Sequence, residues 1–443
     1  MAGEWKTIPL RDCGKWLSGG TPSKDEPQFW GGDIPWISAK SMTGNRFEDS
    51  DLRVTKNGVD NGTRLVPEQT ILLLVRGSML HQRIPVGITT RPVTFNQDVK
   101  AIVPRNDIDA FFLLYWFMAN EPTLLSMVDN TGIGAGRLET DLLHAMSFPL
   151  PPLPEQKAIA HILGSLDDKI ELNRKMNETL EAMARAIFKS WFVDFDPVRA
   201  KAEGREPAGM DAETAKLFPD SFQDSELGKI PKGWRVAEFG QYVDIAKGLS
   251  YKGSGLADAG MPLHNLNSVY EGGGYKHEGL KHYTGEFRDR HICLPGDVIV
   301  ANTEQGFDYL LIGFPAIVPR CYGDKGLFTH HIYRLRPKSG SPLTNHFIYL
   351  MLLMPNFRDA VIGHTNGTTV NALARSGLEL SLCVIPPSSI TERLGDILAP
   401  AFDRRELLHE ESNTLSCTRD ALLPKLLSGE IKIEDAENFV EVA

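Results

Sequence analysis

Phe112-Leu-Leu-Tyr-Trp-Phe-Met118 returns in the second half of the chain as Phe347-Ile-Tyr-Leu-Met-Leu-Leu353, and this recurrence decides how the chain is read. At the same offset Gly132 meets Gly367, Leu138 meets Leu373, and Pro151-Pro152 meets Pro386-Pro387. The register continues beyond the prolines, where Ile159 meets Leu394, Ile162-Leu163 meets Ile397-Leu398, and Ile187 meets Leu422. Towards the N-terminus the offset shortens slightly, with Trp5 answering Trp234 and Pro35 answering Pro262. A period this long lies far outside the ~20–50 residues of a solenoid repeat. It describes a duplicated domain followed by a duplicated helix, folded with internal pseudo-twofold symmetry, an arrangement that suits two half-sites.

Residues 1–150 alternate β-rich runs with Gly, Pro and Asn turns; examples are Ile34–Ser38, Thr70–Val75 and Val99–Val103. That texture predicts a mixed, mostly stranded domain. Ala110 to Ala119 is its one clear helix, apolar on every side and therefore expected against the sheet. After Pro149-Leu-Pro-Pro-Leu-Pro154 the texture changes, and residues 151–195 read as a helical spacer with Glu155 in its first turn, where the helix dipole favours negative charge. Ile159, Leu166, Asn173, Leu180 and Ile187 recur at heptad spacing, with Ile162, Lys169, Met176 and Met183 offset from them along the same seam. Such a seam needs a partner helix. Residues 386–430 supply one through Leu394, Ala401, Leu408, Leu415 and Leu422, although Ile397, Arg404, Glu411 and Thr418 make its other row more polar. Asn173 at a core position would fix register. The fold class that follows is α/β (α+β): two tandem strand-rich domains, 1–150 and 231–385, joined by two long antiparallel helices forming an intramolecular coiled coil. Residues 196–230 read as a polar linker with short helical turns near Ala212, and 431–443 as an acidic tail that frays.

Bulk properties narrow the function. Length and a 42% hydrophobic content are enough for several real cores. No stretch approaches the ~20 apolar residues of a membrane span. Five scattered cysteines without a Cys-x-x-Cys pair, and an N-terminus without a basic-then-apolar signal, predict reduced thiols and a cytoplasmic chain. The 47 Lys and Arg against 57 Asp and Glu leave a net charge of −10, which argues against a simple basic nucleic-acid binder. Catalytic signatures are missing as well: no P-loop, no G-x-S-x-G elbow, no H-E-x-x-H and no G-x-G-x-x-G after a strand. Asp194-Phe-Asp-Pro197 reads as helix termination or a docking point, and His330-His331, on a strand, would point to opposite faces. The chain is expected to carry no catalytic residue and no metal.

What remains is polar chemistry on loops of the kind that contacts base edges and phosphates. The first copy offers Thr21, Ser23 and Lys24 in Gly19-Gly-Thr-Pro-Ser-Lys24, together with Lys40. It also offers Arg76, Ser78, His81 and Arg83 in one run, and Arg137 at the end of the Thr131–Arg137 glycine-rich loop. That loop suits either a phosphate cradle or a plain mobile turn. The second copy offers Lys247, Tyr251, Lys252, Asn265, Asn267, Asn302, Thr303, Gln305, Asn366 and Thr368. Arg76, Arg83, Asn302 and Gln305 rank ahead of the others.

At these residues the sequence resembles the specificity subunit of type I restriction–modification systems. The matching pieces are Gly20–Ser23 with Gly32–Ser38, Arg91–Gln97, Pro149-Leu-Pro-Pro-Leu-Pro-Glu-Gln156, and Trp191-Phe-Val-Asp-Phe-Asp-Pro197. The resemblance implies two target recognition domains reading a bipartite, asymmetric DNA sequence, with the helices as a rigid spacer. It implies two modification subunits that methylate adenine with S-adenosylmethionine, and restriction subunits that use ATP and Mg, so that this chain holds no cofactor itself. The base to be modified would be flipped into the partner, leaving this chain the flanking bases and the backbone. The first helical arm would span about 55 Å at 1.5 Å per residue, and half-sites one DNA turn apart, ~34–36 Å, are within that length. The second arm departs from the pattern with Pro386-Pro-Ser-Ser-Ile-Thr391. A coiled-coil scaffold without DNA binding is the alternative from another class.

Overall fold

The computed structural model describes residues 5–129, 134–306, 308–367 and 370–442. The chain divides into two compact units, Met1–Leu172 with Glu411–Ala443, and Asn173–Glu410. Two 40-residue helices, Leu153–Phe192 and Ser388–Leu427, each contribute residues to both units. The architecture is mixed α/β with two long helices, as the duplication and the heptads predict.

In the first unit a five-stranded sheet runs in the order Gly14–Ser18, Val99–Pro104, Ile71–Leu74, Val86–Thr89, Arg46–Phe47. Ile71–Leu74 is buried at every residue, so it reads as a continuous apolar run with no alternation. A second, four-stranded sheet is built from Arg53–Val54, Trp30–Ile37, Val93–Phe95 and Leu65–Val66, in that order. The helix Ala110–Ala119 starts where Asp109 accepts from the backbone N–H groups of Phe111 and Phe112, each at 3.0 Å. It has no polar face because it joins the core; Phe112, Leu113, Leu114, Trp116 and Phe117 are all buried. Each such side chain contributes roughly 1.5–3 kcal/mol of transfer free energy.

The second unit repeats this plan with its sheets rebalanced. Val243–Lys247, Ile332–Pro337, Val298–Ala301 and Pro315–Ile317 form the four-stranded sheet. Leu256–Ala257, Lys281–Tyr283, Met261–His264, Gly326–Phe328 and Ile292–Cys293 form the five-stranded one. Helix Asn345–Leu353 is capped by Thr344, whose hydroxyl accepts from Phe347 N at 3.2 Å.

The start of each long helix is fastened alike. Gln156 is fully buried; its Oε1 accepts from Asp109 N at 2.9 Å while Nε2 donates to the carbonyls of Asp107 at 3.0 Å and Pro151 at 2.8 Å. Thr391 stands at the equivalent place in the repeat, equally buried, and its hydroxyl donates to the carbonyls of Pro342 and Ser388. Pro342 is in turn the repeat equivalent of Asp107. The second arm thus keeps the contact while losing the motif.

The helices pair within each unit. In the first, Ile159, Ile162, Leu163 and Leu166 share a core with Leu415, Leu422, Leu423 and Leu426. Asp167 meets Arg419 and Lys169 meets Glu411, so the two segments run antiparallel. In the second, Ala184, Phe188 and Trp191 share a core with Leu394 and Leu398. The strict heptad does not survive to this end: Met183, expected in the seam, is 55% exposed. Burial there has drifted to Ala184, Phe188 and Trp191, because an α-helix of about 3.6 residues per turn precesses against a seven-residue repeat.

Three other expectations change. Residues 196–230, read as a linker, contain helices Asp196–Ala202 and Ala212–Lys216 and most of the hairpin Phe222–Ser225 with Gly228–Pro231. This segment packs through Phe218 and Ile230, beside Phe195 and Trp234, onto Trp191 and Phe192. The acidic tail forms helix Ile433–Val442 and buries Ala436 completely. His330 and His331 sit in a turn, their rings 3.9 Å apart, instead of on opposite faces of a strand.

Candidate nucleic-acid interface

Each unit carries a small three-stranded sheet at the end of the apolar central strand. In the first unit it is Val128–Asp129, Gly136–Leu138, Arg76–Gly77; in the second it is Thr365–Asn366, Val370–Leu373, Thr303–Gln305. One backbone bond positions both. Leu138 N donates to Val75 O at 2.9 Å, and Leu373 N donates to Asn302 O at 2.8 Å. Gly136 is required in the first sheet, since an added Cβ would stand 2.9 Å from Val128 Cγ1 and 3.0 Å from Leu80 Cβ.

Two of the predicted residues come face to face here. Arg76 pairs directly with Arg137 across the strands, and both are exposed. Like charges at a cross-strand position oppose folding, so this pair adds nothing to the stability of the sheet. Glu139 holds Arg137 Nε at 3.2 Å, but this ion pair is half exposed and contributes little. Ser78 and His81 follow on a short turn anchored by buried Leu80, and both are exposed. Arg83 uses one guanidinium nitrogen on Met42 O at 3.1 Å. In the second sheet Thr303 stands opposite Ala372, with Gln305 and Asn366 exposed and Thr303 Oγ1 3.0 Å from His331 Nδ1. Thr368 lies outside the described residues, as do 131–133 of the glycine-rich loop.

Two predicted contacts are corrected. Asn302 is buried, and its Nδ2 donates to His330 O at 3.1 Å; it occupies the place of buried Val75 and serves the scaffold. Asn265 is buried too, donating to Gly279 O at 2.6 Å and accepting from Asn267 N at 2.9 Å. Asn267 itself is exposed. Nearby Glu304 is also structural, its carboxylate taking the backbone N–H groups of Leu310, Leu311 and Ile312 at 2.8–3.0 Å.

The two glycine turns are equivalent as well. Gly20 N donates to Phe95 O at 3.0 Å and Leu249 N donates to Phe328 O at 2.7 Å. Gly19 and Gly248 each pass so close to backbone that a Cβ would meet a carbonyl oxygen at 2.2 Å or 2.3 Å. In the first turn Thr21 donates to Gln97 Oε1 at 2.7 Å, Trp30 Nε1 holds Ser23 O at 3.0 Å, and Lys24 is exposed. Lys40 is exposed on its own short turn. In the second, Lys252 is exposed and Tyr251 OH accepts from Lys281 Nζ at 3.4 Å.

Lys247 opens onto a cleft of about 520 Å³ that the sequence reading did not find. Arg288, Arg290, His291 and His330 line it, with Glu286 the one carboxylate among the lining residues. Among the described residues, Lys247, Arg288 and Arg290 form no ion pair. Arg290 Nε donates to His291 Nε2 at 3.2 Å. Burial first, then Arg290 and Arg288, hold that imidazole below its ordinary pKa. The alternation Glu286-Phe-Arg-Asp-Arg-His291 was the available signal. A larger cleft of about 620 Å³ in the same unit mixes both signs, with Glu181, Arg185, Glu278, Arg320 and Arg405, and is a poorer anion seat. The described residues contain no cluster of three metal-ligating side chains, and no helix long and apolar enough to cross a membrane.

Residues 2–182 match the family of the type I restriction modification DNA specificity domain. The chain is 26% identical over 445 residues to the type I restriction enzyme MjaIX specificity subunit of Methanocaldococcus jannaschii, covering 98% of this chain and 94% of that one. It is 28% identical over 499 residues to the HindI specificity subunit of Haemophilus influenzae, covering 97% and 100%. The crystal structure of a type I restriction–modification S subunit from M. genitalium superposes with a TM-score of 0.55 at 14% identity, over 95% of this chain and 96% of the other, and shares its fold.

Proposed function

We infer that this chain, which belongs to the specificity-subunit family of type I restriction–modification systems, reads a bipartite, asymmetric DNA sequence and directs adenine methylation or restriction by its partners. The observation that carries this reading is the pair of small sheets, held by the same backbone bond yet displaying Arg76 and Arg137 in one unit and Thr303 and Ala372 in the other. Like scaffolds with different exposed chemistry suit two different half-sites. Arginine pairs well with guanine edges and with phosphate, whereas Thr, Gln and Asn make neutral contacts.

In this reading the chain contributes no catalytic group. Two modification subunits bring S-adenosylmethionine, and restriction subunits bring ATP and Mg. The net charge of −10 confines DNA contact to local basic surfaces such as the Lys247, Arg288 and Arg290 cleft, with partner subunits closing around the remainder.

The test is DNA affinity of the chain assembled with its modification subunits, measured by fluorescence anisotropy across a salt series. Each phosphate contact adds about 0.9 to the slope of log affinity against log salt. Arg288→Gln with Arg290→Gln should lower that slope by about 1–2 on any sequence, while Lys229→Gln with Lys232→Gln, two exposed lysines at the hairpin strand Gly228–Pro231 and outside the cleft, should not. An assembly with no salt-dependent DNA affinity supports the scaffold reading instead.

A further inference from the structure

Each unit fastens its recognition domain to the long helices through one polar knot, built on a buried tyrosine. In the first unit Tyr115, on the helix Ala110–Ala119, donates its hydroxyl to Asp167 Oδ2 at 2.8 Å. Asp167 belongs to the first long helix, and its other oxygen takes Arg419 Nη1 of the second long helix at 2.7 Å. Asn45 of the recognition domain adds a third donor at 3.0 Å. In the second unit Tyr349, on the helix Asn345–Leu353, donates to Glu181 Oε1 at 2.9 Å. Glu181 lies on the first long helix, where it also accepts from Arg185 Nε at 2.9 Å, and it forms an ion pair with Arg405 of the second. Burial, then the adjoining carboxylate, raises the pKa of both tyrosines, which keeps each hydroxyl a donor.

Duplication does not account for this likeness. At the offset that relates the two copies, Asp167 corresponds to Phe402, Glu181 to Ser416, and Tyr115 to Leu350. Both carboxylates come from the first long helix and both arginines from the second. The same tyrosine–carboxylate–arginine connection has therefore been built twice, at positions the repeat does not relate. Net stability is a weak reason for it, because desolvating Asp167 and Arg419 offsets most of their attraction, and apolar side chains of similar volume would hold the surfaces as well. A hydroxyl, a carboxylate and a guanidinium contribute direction instead: they satisfy one another in one arrangement, whereas apolar helix faces can slide.

We propose that Tyr115–Asp167–Arg419 and Tyr349–Glu181–Arg405 are positioning residues that lock each recognition domain onto its helix segments and thereby set how many base pairs may separate the half-sites. The inference rests on the DNA-reading role proposed above. One extra base pair moves a half-site about 3.4 Å along the DNA axis and turns it by about a tenth of a revolution. A sliding interface absorbs such a change; a knotted one rejects it.

The experiment is the methylation rate of the chain assembled with its modification subunits, on duplexes whose half-sites stand at the natural spacing or one base pair nearer or farther. Two variants are compared with the unaltered chain: Tyr115→Phe with Tyr349→Phe, and the apolar replacement Tyr115→Phe, Asp167→Leu, Arg419→Met. Methylation at the natural spacing should persist in both, while preference over the altered spacings falls about tenfold, equivalent to ~1.4 kcal/mol. The thermal midpoint of the apolar variant should stay level or rise. Unchanged preference in both variants, or equal loss at every spacing with a lowered midpoint, overturns the proposal. A failure of the unaltered assembly to methylate any spaced pair overturns the DNA-reading role itself, and this inference with it.

Discussion

The small sheet of the first unit sets Arg76 against Arg137; the same sheet in the second unit sets Thr303 against Ala372. Beneath that difference the scaffolds agree. Leu138 and Leu373 donate to the same place on the preceding strand, and Gly19 and Gly248 make the same close approach. Gln156 and Thr391 reach equivalent carbonyls with unlike side chains. The buried hydrogen bonds hold the frame constant, while exposed positions, which cost little to change, carry the difference. Cationic chemistry has also moved, from the sheet in the first unit to the Lys247, Arg288 and Arg290 cleft in the second.

Substitutions in what the two units share should have the largest effect. Asp167→Ala removes the acceptor shared by the Tyr115 hydroxyl, Asn45 Nδ2 and Arg419 Nη1, while Arg419 keeps Asp420, and should cost about 3 kcal/mol, read by denaturant unfolding. Glu181→Ala should cost less, because Glu181 and Arg405 are the more exposed pair. Equal losses would remove the distinction. Next comes what the units do not share. Arg137→Ala, or Arg76→Ala, should weaken recognition of one half-site by about 1–3 kcal/mol and leave the other unaltered, visible as a relaxed base at one end of the methylated motif. A change at both ends would mean the sheets do not act separately. Asn302→Ala should lower stability by about 1 kcal/mol without altering the motif, since that amide serves His330 O. A smaller effect on stability is expected from Thr303→Arg with Ala372→Arg. The installed pair should cost only ~0.2–1 kcal/mol, yet it should change the bases preferred by the second unit.

Most of the frame was legible from residues alone. The recurrence of Phe112–Met118 as Phe347–Leu353 located both buried helices, and the proline runs located the starts of both long ones. What failed had a common physical origin: sequence shows a side chain's chemistry before it shows its burial. Asn302 and Asn265 look like base readers, yet each is used up by backbone partners inside the fold. Met183 follows the heptad on paper, but the helix precesses against a seven-residue repeat and carries burial on to Ala184, Phe188 and Trp191. Residues 196–230 are polar enough to pass for a linker because their few large apolar side chains, Phe218 and Ile230 among them, anchor to a core built by distant segments. Conversely, Arg76 and Arg137 are far apart along the chain, and only the strand pairing reveals that they are neighbours.

If two like frames read two unlike half-sites, each half of the recognised sequence answers to one unit. Adenine methylation mapped across a genome carrying this chain and its modification subunits tests it most directly. A split motif with two different halves is expected, methylated at both, that vanishes when this chain is deleted and relaxes in one half alone in the Arg137→Ala variant. A motif that persists without the chain, or two halves that relax together, would contradict it.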